Sequence, residues 1–133
     1  DLNKFSLLLK QNKIKNIKLP VSAPFHCELM RSATFKMEKI INQQILKNPT
    51  YKIVSNVTAD EYKNTTEIKE LLIKQIESPV RWRESIEYMI KNGTNTFIEI
   101  GPGKVLSGLI KRANKDVKIL NIDTFEDIQG INI

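Results

Sequence analysis

Between Thr96 and Ile122 the chain passes from a short apolar strand pattern, Thr96-Phe-Ile-Glu-Ile100, directly into Gly101-Pro102-Gly103. A helical stretch from Lys104 to Arg112 and a second strand pattern from Val117 to Ile122 follow. This alternation limits the possible folds more than any other feature: strand, helix and strand in succession read as α/β with a mostly parallel sheet. The preceding segments fit the same class. Thr66 is placed to cap a helix from Glu67 to Glu77 that Ser78-Pro79 ends, and a further helix from about Arg83 to Lys91 closes at Asn92-Gly93. Tyr51 to Val57 alternates with β-branched residues and reads as a strand. From Glu28 to Lys47 the apolar positions Leu29, Ala33, Met37, Ile40, Ile41 and Ile45 recur every three or four residues, predicting one amphipathic helix stopped by Asn48-Pro49. Leu2, Phe5, Leu8 and Leu9 predict a first helix from Leu2 to Lys10, and Ile14 to Val21 reads as a strand running into a proline-stiffened loop. The tail after Phe125 reads as frayed.

Composition removes several classes of function. A single cysteine, Cys27, among 133 residues cannot close an internal disulfide, and with no CxxC pair there is no thiolate zinc site. No metal is expected. The longest apolar runs, Leu7 to Leu9 and Leu71 to Ile73, fall far short of the roughly 18 residues a bilayer-spanning helix needs. A soluble chain without membrane contact is the expectation. A formal net charge of +6 favours acidic partners through long-range steering. Many of the lysines belong to a general enrichment in Lys, Asn and Ile, which weakens that inference. The cluster Lys10, Lys13, Lys15 and Lys18 carries no interleaved aromatic residues, so nucleic-acid binding finds little support. Those lysines suit phosphates or an acidic protein, and equally the solvated face of an edge strand.

His26 is the only histidine and hence the first candidate for acid–base work near neutral pH. It follows two prolines and precedes a helix, where a loop holds a side chain at the rim of a cleft. Position alone favours an idle surface or half-buried histidine, since most loop histidines have no role. Neighbouring side chains point apart, so a Cys27–His26 dyad is geometrically poor and Cys27 reads as small packing. Gly101-Pro102-Gly103-Lys104 sets backbone N–H groups at a helix start, which suits an anion or oxyanion, but it is neither a Walker loop nor a GxGxxG. As a bare pattern it fits a tight turn without a ligand better. None of the seven serines lies in a G-x-S-x-G, so the usual serine elbow is absent from this chain.

Four blocks in order carry a resemblance: Leu19-Pro-Val-Ser-Ala-Pro-Phe-His26; Ser55-Asn-Val57; Gln75-Ile-Glu-Ser-Pro-Val-Arg-Trp82; and Ile98-Glu-Ile-Gly-Pro-Gly-Lys-Val-Leu-Ser-Gly-Leu109 followed by Lys111-Arg112. Together they resemble the C-terminal part of the malonyl-CoA:acyl carrier protein transacylase family, over roughly Leu7 to Phe125. The resemblance implies a ping-pong acyl transfer. A serine attacks the malonyl thioester, a histidine takes its proton, and the malonyl group passes to the phosphopantetheine thiol of acyl carrier protein. His26 falls on that histidine. Gln75 falls on the residue whose main-chain carbonyl accepts the imidazole Nδ1–H, an arrangement that leaves Nε2 free as base. Phe25 corresponds to a position that crowds an α-methyl group and so favours malonyl over methylmalonyl, a difference of about 1–3 kcal/mol. Val105 falls where the family lines its pantetheine channel, and Lys15 near a basic position that meets coenzyme phosphates. No cofactor is implied, since malonyl-CoA is a substrate and the phosphopantetheine belongs to the carrier protein.

The same resemblance implies what is missing. The nucleophilic serine, the arginine for the malonyl carboxylate and the oxyanion hole belong to the family's earlier half. Residues 1–20 are then the last helix and strand of a ferredoxin-like small subdomain, and 21–133 the C-terminal half of a large α/β-hydrolase-like acyltransferase subdomain. Such a piece, which starts at Asp1 rather than Met, is expected to expose much apolar surface and open sheet edges and to fold against the N-terminal remainder of the same enzyme. The expected partners are acyl carrier protein, malonyl-CoA and that remainder. A cytoplasmic or organellar setting, plastid or mitochondrial, fits the AT-biased composition. Two other readings stand beside this one: an acyltransferase domain of a multidomain polyketide or fatty acid synthase, and a non-catalytic basic module that binds acidic partners.

Overall fold

The computed structural model describes residues 1–18 and 21–130; Leu19 and Pro20, within the first of the four blocks and at the end of the expected small subdomain, lie outside the described residues, as do 131–133. The best-packed part is the second half. Strand β1 (Thr96–Ile100) pairs in parallel with β2 (Lys118–Ile122), in a register from Thr96 opposite Lys118 to Ile100 opposite Ile122. Helix α5 (Val105–Ala113) makes the crossover between them. A parallel pair requires such a crossover, because a tight hairpin joins only antiparallel strands. The turn into α5 needs backbone conformations that side chains disfavour, and Gly101 (φ +129°) and Gly103 (φ +91°) supply them. Helix α4 (Trp82–Lys91) covers the same core, where Ile86, Phe97 and Ile110 are buried among Trp82, Met89, Ile90, Ala113, Val117 and Ile119. The chain is therefore α/β with a small parallel sheet of two strands among the described residues.

The sequence reading needs correction in the first half. Helix α1 (Leu2–Gln11) forms, with Lys13 at φ +57° and Ile14 donating its N–H back to Leu9. The predicted strand after it does not: Ile14 to Lys18 pairs with no strand among the described residues, and Asn16 instead bonds to Ser6 on α1 and to the Ile14 carbonyl. The helix predicted over Glu28–Lys47 is a single 3₁₀ turn (Glu28–Met30) and then α2 (Arg31–Gln43). It stops four residues early, where Gln44 turns extended and donates its side-chain N–H to the Ile40 carbonyl. Ile45 continues the apolar period but nothing covers it, so the period has no packing to reward.

Tyr51–Val57 forms no strand either. A single antiparallel bridge joins Val54 to Glu61, with a turn at 55–60 that passes through Ala59 at φ +56°. Helix α3 (Thr65–Lys74) is capped by Asn64 rather than Thr66, the Asn64 side-chain Oδ1 accepting from the Glu67 N–H at 2.9 Å. It ends at Lys74 with Gln75 as its C-cap, rather than at Glu77, and loosens into turns. The tail is not frayed before Gly130: Thr124 and Asp127 form a capping box that starts a short α6 (Phe125–Gln129). No residue of α1 or α2 is buried, and Leu2, Phe5, Leu29, Phe35 and Ile40 are exposed. In a lone globular domain these stripes would be the covered faces.

One polar cluster fixes the crossover. The Glu99 carboxylate accepts the N–H groups of Leu106 (3.0 Å) and Ser107 (2.8 Å) at the start of α5, and the Asn121 amide from β2 (3.1 Å). Asn121 also donates to the Ser107 hydroxyl, leaving that hydroxyl's own proton for Glu99. The Ser107 hydroxyl, then the Ser107 and Leu106 amides and Asn121, hold the Glu99 carboxyl below the usual carboxylate range. A lowered pKa contributes stability above the unfolded-state value and loses it as pH falls through the folded value. Glu99→Gln should therefore melt lower than wild type at pH 7, with the gap closing below about pH 4.3. Thermal melts across pH 7 to 3 would show a constant gap if the charge had no part.

Candidate active site

The segment before α2 is short and irregular. Phe25 donates its N–H to the Ala23 carbonyl across Pro24, a turn that brings the chain round to His26. His26 sits in the left-handed region at φ +60°, uncommon for any residue with a Cβ though less so for histidine. Its side chain reaches the C-terminal end of α3. There the last carbonyls of the helix have no intrahelical partner, and the helix dipole gives that end a partial negative charge. The Gln75 carbonyl oxygen lies 2.9 Å from His26 Nδ1. A carbonyl only accepts, so this contact requires the proton on Nδ1 and leaves the Nε2 lone pair free in the neutral ring. Forty-nine residues of sequence separate the two groups, and the packing of α2 against α3 is what brings them together.

The other candidates are distributed differently. Phe25, one residue before His26, is exposed. Cys27 turns its thiol to the Pro24 carbonyl at 3.1 Å, not to His26. Val105 stands exposed at the first position of α5, and Lys15 is exposed in the irregular segment after α1. Among the described residues no hydrogen bond or ion pair joins Val105 or Lys15 to the His26–Gln75 pair. The Gly101–Lys104 turn proves not to be an open anion site, because Glu99 already occupies the α5 amides. A surface depression of about 600 Å³ between the end of α2 and the start of α3 is lined by residues such as Asn42, Thr66 and Lys69, not by His26 or Gln75.

No family model matches the chain. Over 125 residues it is 46% identical to the malonyl CoA-acyl carrier protein transacylase of Bacillus subtilis (strain 168), an alignment covering 93% of this chain and 39% of the relative. The solved structure of the malonyl CoA-acyl carrier protein transacylase from Clostridium perfringens superposes with a TM-score of 0.85 at 40% identity, covering 97% of this chain and 41% of that one. The chain is a homologue of the malonyl-CoA–acyl carrier protein transacylases. It spans about two fifths of the length of the relatives it matches. A further transacylase, solved in complex with its type II PKS acyl-carrier protein, superposes at a TM-score of 0.85 and 31% identity, over 96% of this chain and 42% of that one.

Within this transacylase homologue, several residues that shape the site escaped the sequence reading. Glu99 was visible as a charge inside an apolar strand, a pattern that calls for a buried or capping partner. Arg81 lies within one of the recognised blocks and ties the 55–60 turn to α4: its N–H donates to the Asn56 carbonyl and its guanidinium to the Thr58 carbonyl. Arg31 and Glu77, which form an ion pair, carry no sequence signal, because their pairing exists only once α2 packs on α3.

Proposed function

We propose that this chain is the C-terminal part of an acyltransferase that moves a malonyl group from malonyl-CoA to the phosphopantetheine thiol of acyl carrier protein, in fatty acid biosynthesis. The observation that carries the reading is the 2.9 Å approach of His26 Nδ1 to the Gln75 carbonyl, in a homologue of transacylases. A histidine whose proton is held on Nδ1 presents a basic Nε2, the requirement for removing the proton of an attacking hydroxyl. In this reading a serine from the rest of the enzyme attacks the thioester carbonyl as Nε2 accepts its proton. The tetrahedral adduct collapses by breaking the carbon–sulfur bond, and the proton goes to the departing coenzyme thiolate. The second half reverses the path: the carrier's thiol gives its proton to Nε2 and its sulfur takes the malonyl group from serine, whose oxygen regains the proton. A neutral carbonyl partner stabilises the imidazolium less than a carboxylate does, which a reactive thioester tolerates.

Phe25 in this scheme narrows the space for an α-methyl substituent, Val105 lines the pantetheine path and Lys15 meets coenzyme phosphate. Residues 1–20 close a ferredoxin-like small subdomain and 21–133 complete an α/β-hydrolase-like one. The apolar stripes of α1 and α2 support this reading, since the N-terminal remainder would cover them. The enzyme would need no cofactor and would work in the cytoplasm or an organelle. The test combines this chain with the N-terminal part of a transacylase relative, as two chains or one. Labelled malonyl should pass from malonyl-CoA to holo acyl carrier protein only when both parts are present. A folded complex that transfers nothing, or transfer by the N-terminal part alone, would remove the proposal.

A further inference from the structure

We propose that the ion pair of Arg31 with Glu77 is a clamp that keeps the Gln75 carbonyl on His26 Nδ1, which makes both of them positioning residues; this rests on His26 being the base. Arg31 opens α2 five residues after His26, and Glu77 follows Gln75 by two residues in the turns after α3. Arg31 Nε lies 3.7 Å from Glu77 Oε2, and Arg31 Nη2 lies 2.8 Å from Glu28 Oε1. The guanidinium therefore spans the same two segments that the His26–Gln75 hydrogen bond joins, held from one side by Glu28. Glu77 is only a quarter exposed, which strengthens its attraction to a facing cation relative to a fully solvated pair.

Both sides of the hydrogen bond need such help. His26 belongs to an irregular, exposed loop in a backbone conformation that its Cβ disfavours. Past Gln75 the helix loosens into long turn contacts, Ile76 N–H to the Ile73 carbonyl at 3.3 Å and Glu77 N–H to the Lys74 carbonyl at 3.2 Å. A lone solvent-exposed hydrogen bond between two such segments exchanges readily for bonds to water. Charge attraction falls off slowly with distance, so it draws the segments together even beyond hydrogen-bond range. The helix pair is tied at its other end too, where Lys69 Nζ donates to the Asn42 carbonyl at 3.1 Å. That second tie fastens α2 to α3 as well, but away from the imidazole, and so provides a control.

The test uses the complete enzyme carrying this chain, with Arg31→Gln, Glu77→Gln, Arg31→Lys and Lys69→Met. Imidazole ¹⁵N shifts of His26, assigned by their loss in His26→Asn, report which ring nitrogen bears the proton. Wild type should hold the Nδ1–H form. Arg31→Gln and Glu77→Gln should shift toward the average of the two tautomers and lower kcat by about threefold to fivefold with KM for malonyl-CoA unchanged. Arg31→Lys should recover most of both, and Lys69→Met should move neither. The clamp is refuted if the tautomer stays fixed in the Gln variants or if Lys69→Met shifts it as much. Full turnover by His26→Ala would instead sink the base assignment, which the tautomer measurement does not depend on.

Discussion

Replacing His26 by Ala in the complete enzyme is expected to lower turnover for malonyl transfer by about 10²–10⁴-fold, the usual contribution of one positioned base. The argument has two parts. Chemically, no other histidine exists in the chain, and Nε2 is the one basic ring nitrogen that the Gln75 contact leaves free. Structurally, the loss should not come from misfolding. The imidazole is exposed and, among the described residues, makes one hydrogen bond to the protein, at φ +60°, where Ala costs about 1 kcal/mol. His26→Asn separates the two causes, because Asn tolerates that conformation yet cannot act as a base. Both variants should bind malonyl-CoA with little change and transfer equally poorly. If the Ala form is inactive while the Asn form is active, His26 serves the backbone and not the chemistry; if both keep full turnover, the base lies elsewhere.

What the sequence revealed depends on whether a segment's partner lies within the chain. Thr96–Ile100 and Val117–Ile122 were readable as strands and became β1 and, from Lys118, β2, since each supplies the other's hydrogen bonds and α5 covers them. Ile14–Val21 and Tyr51–Val57 have equally good strand patterns, but no neighbouring strand among the described residues completes a ladder for Ile14–Lys18 or for Tyr51–Val57. A period-two pattern states a preference, and only pairing realises it. Helix α2 makes the same point with a different period, its stripe running on to Ile45 after the helix has stopped at Gln43. Thr66 was a plausible cap, but Asn64 reaches the Glu67 amide and wins. The α6 capping box went unread because five residues are too few to show a helical period.

The candidate site was legible in a different way. His26 stood out by residue type. Gln75 did not, because the group that meets the imidazole is a peptide carbonyl that every residue possesses, and only the family resemblance singled it out. No residue-level signal locates a main-chain acceptor 49 positions away.

The largest effect expected on stability comes from Ile86→Ala. Ile86 is 1% exposed, the most deeply buried apolar side chain of the core it shares with Phe97 and Ile110. Removing three carbons there loses transfer free energy and leaves a cavity that α4, the sheet and α5 cannot all collapse to fill, about 2–5 kcal/mol in sum. Ile86→Val, which removes one, should cost about 0.5–1.5 kcal/mol. Ile45, 95% exposed beyond the end of α2, provides the contrast: Ile45→Ala should stay within about 0.5 kcal/mol unless another part of the enzyme covers it. Urea unfolding of the complete enzyme measures all three. The Ile86 effect should also reach the site, because α4 starts just after the turns that carry Gln75, and the Arg81 N–H at its entrance anchors the 55–60 turn through Asn56. Loosening α4 should therefore speed amide exchange at Arg81 together with that in β1 and β2. Equal midpoints for Ile86→Ala and Ile45→Ala would mean that this small parallel unit is not the part of the chain that holds the rest in place.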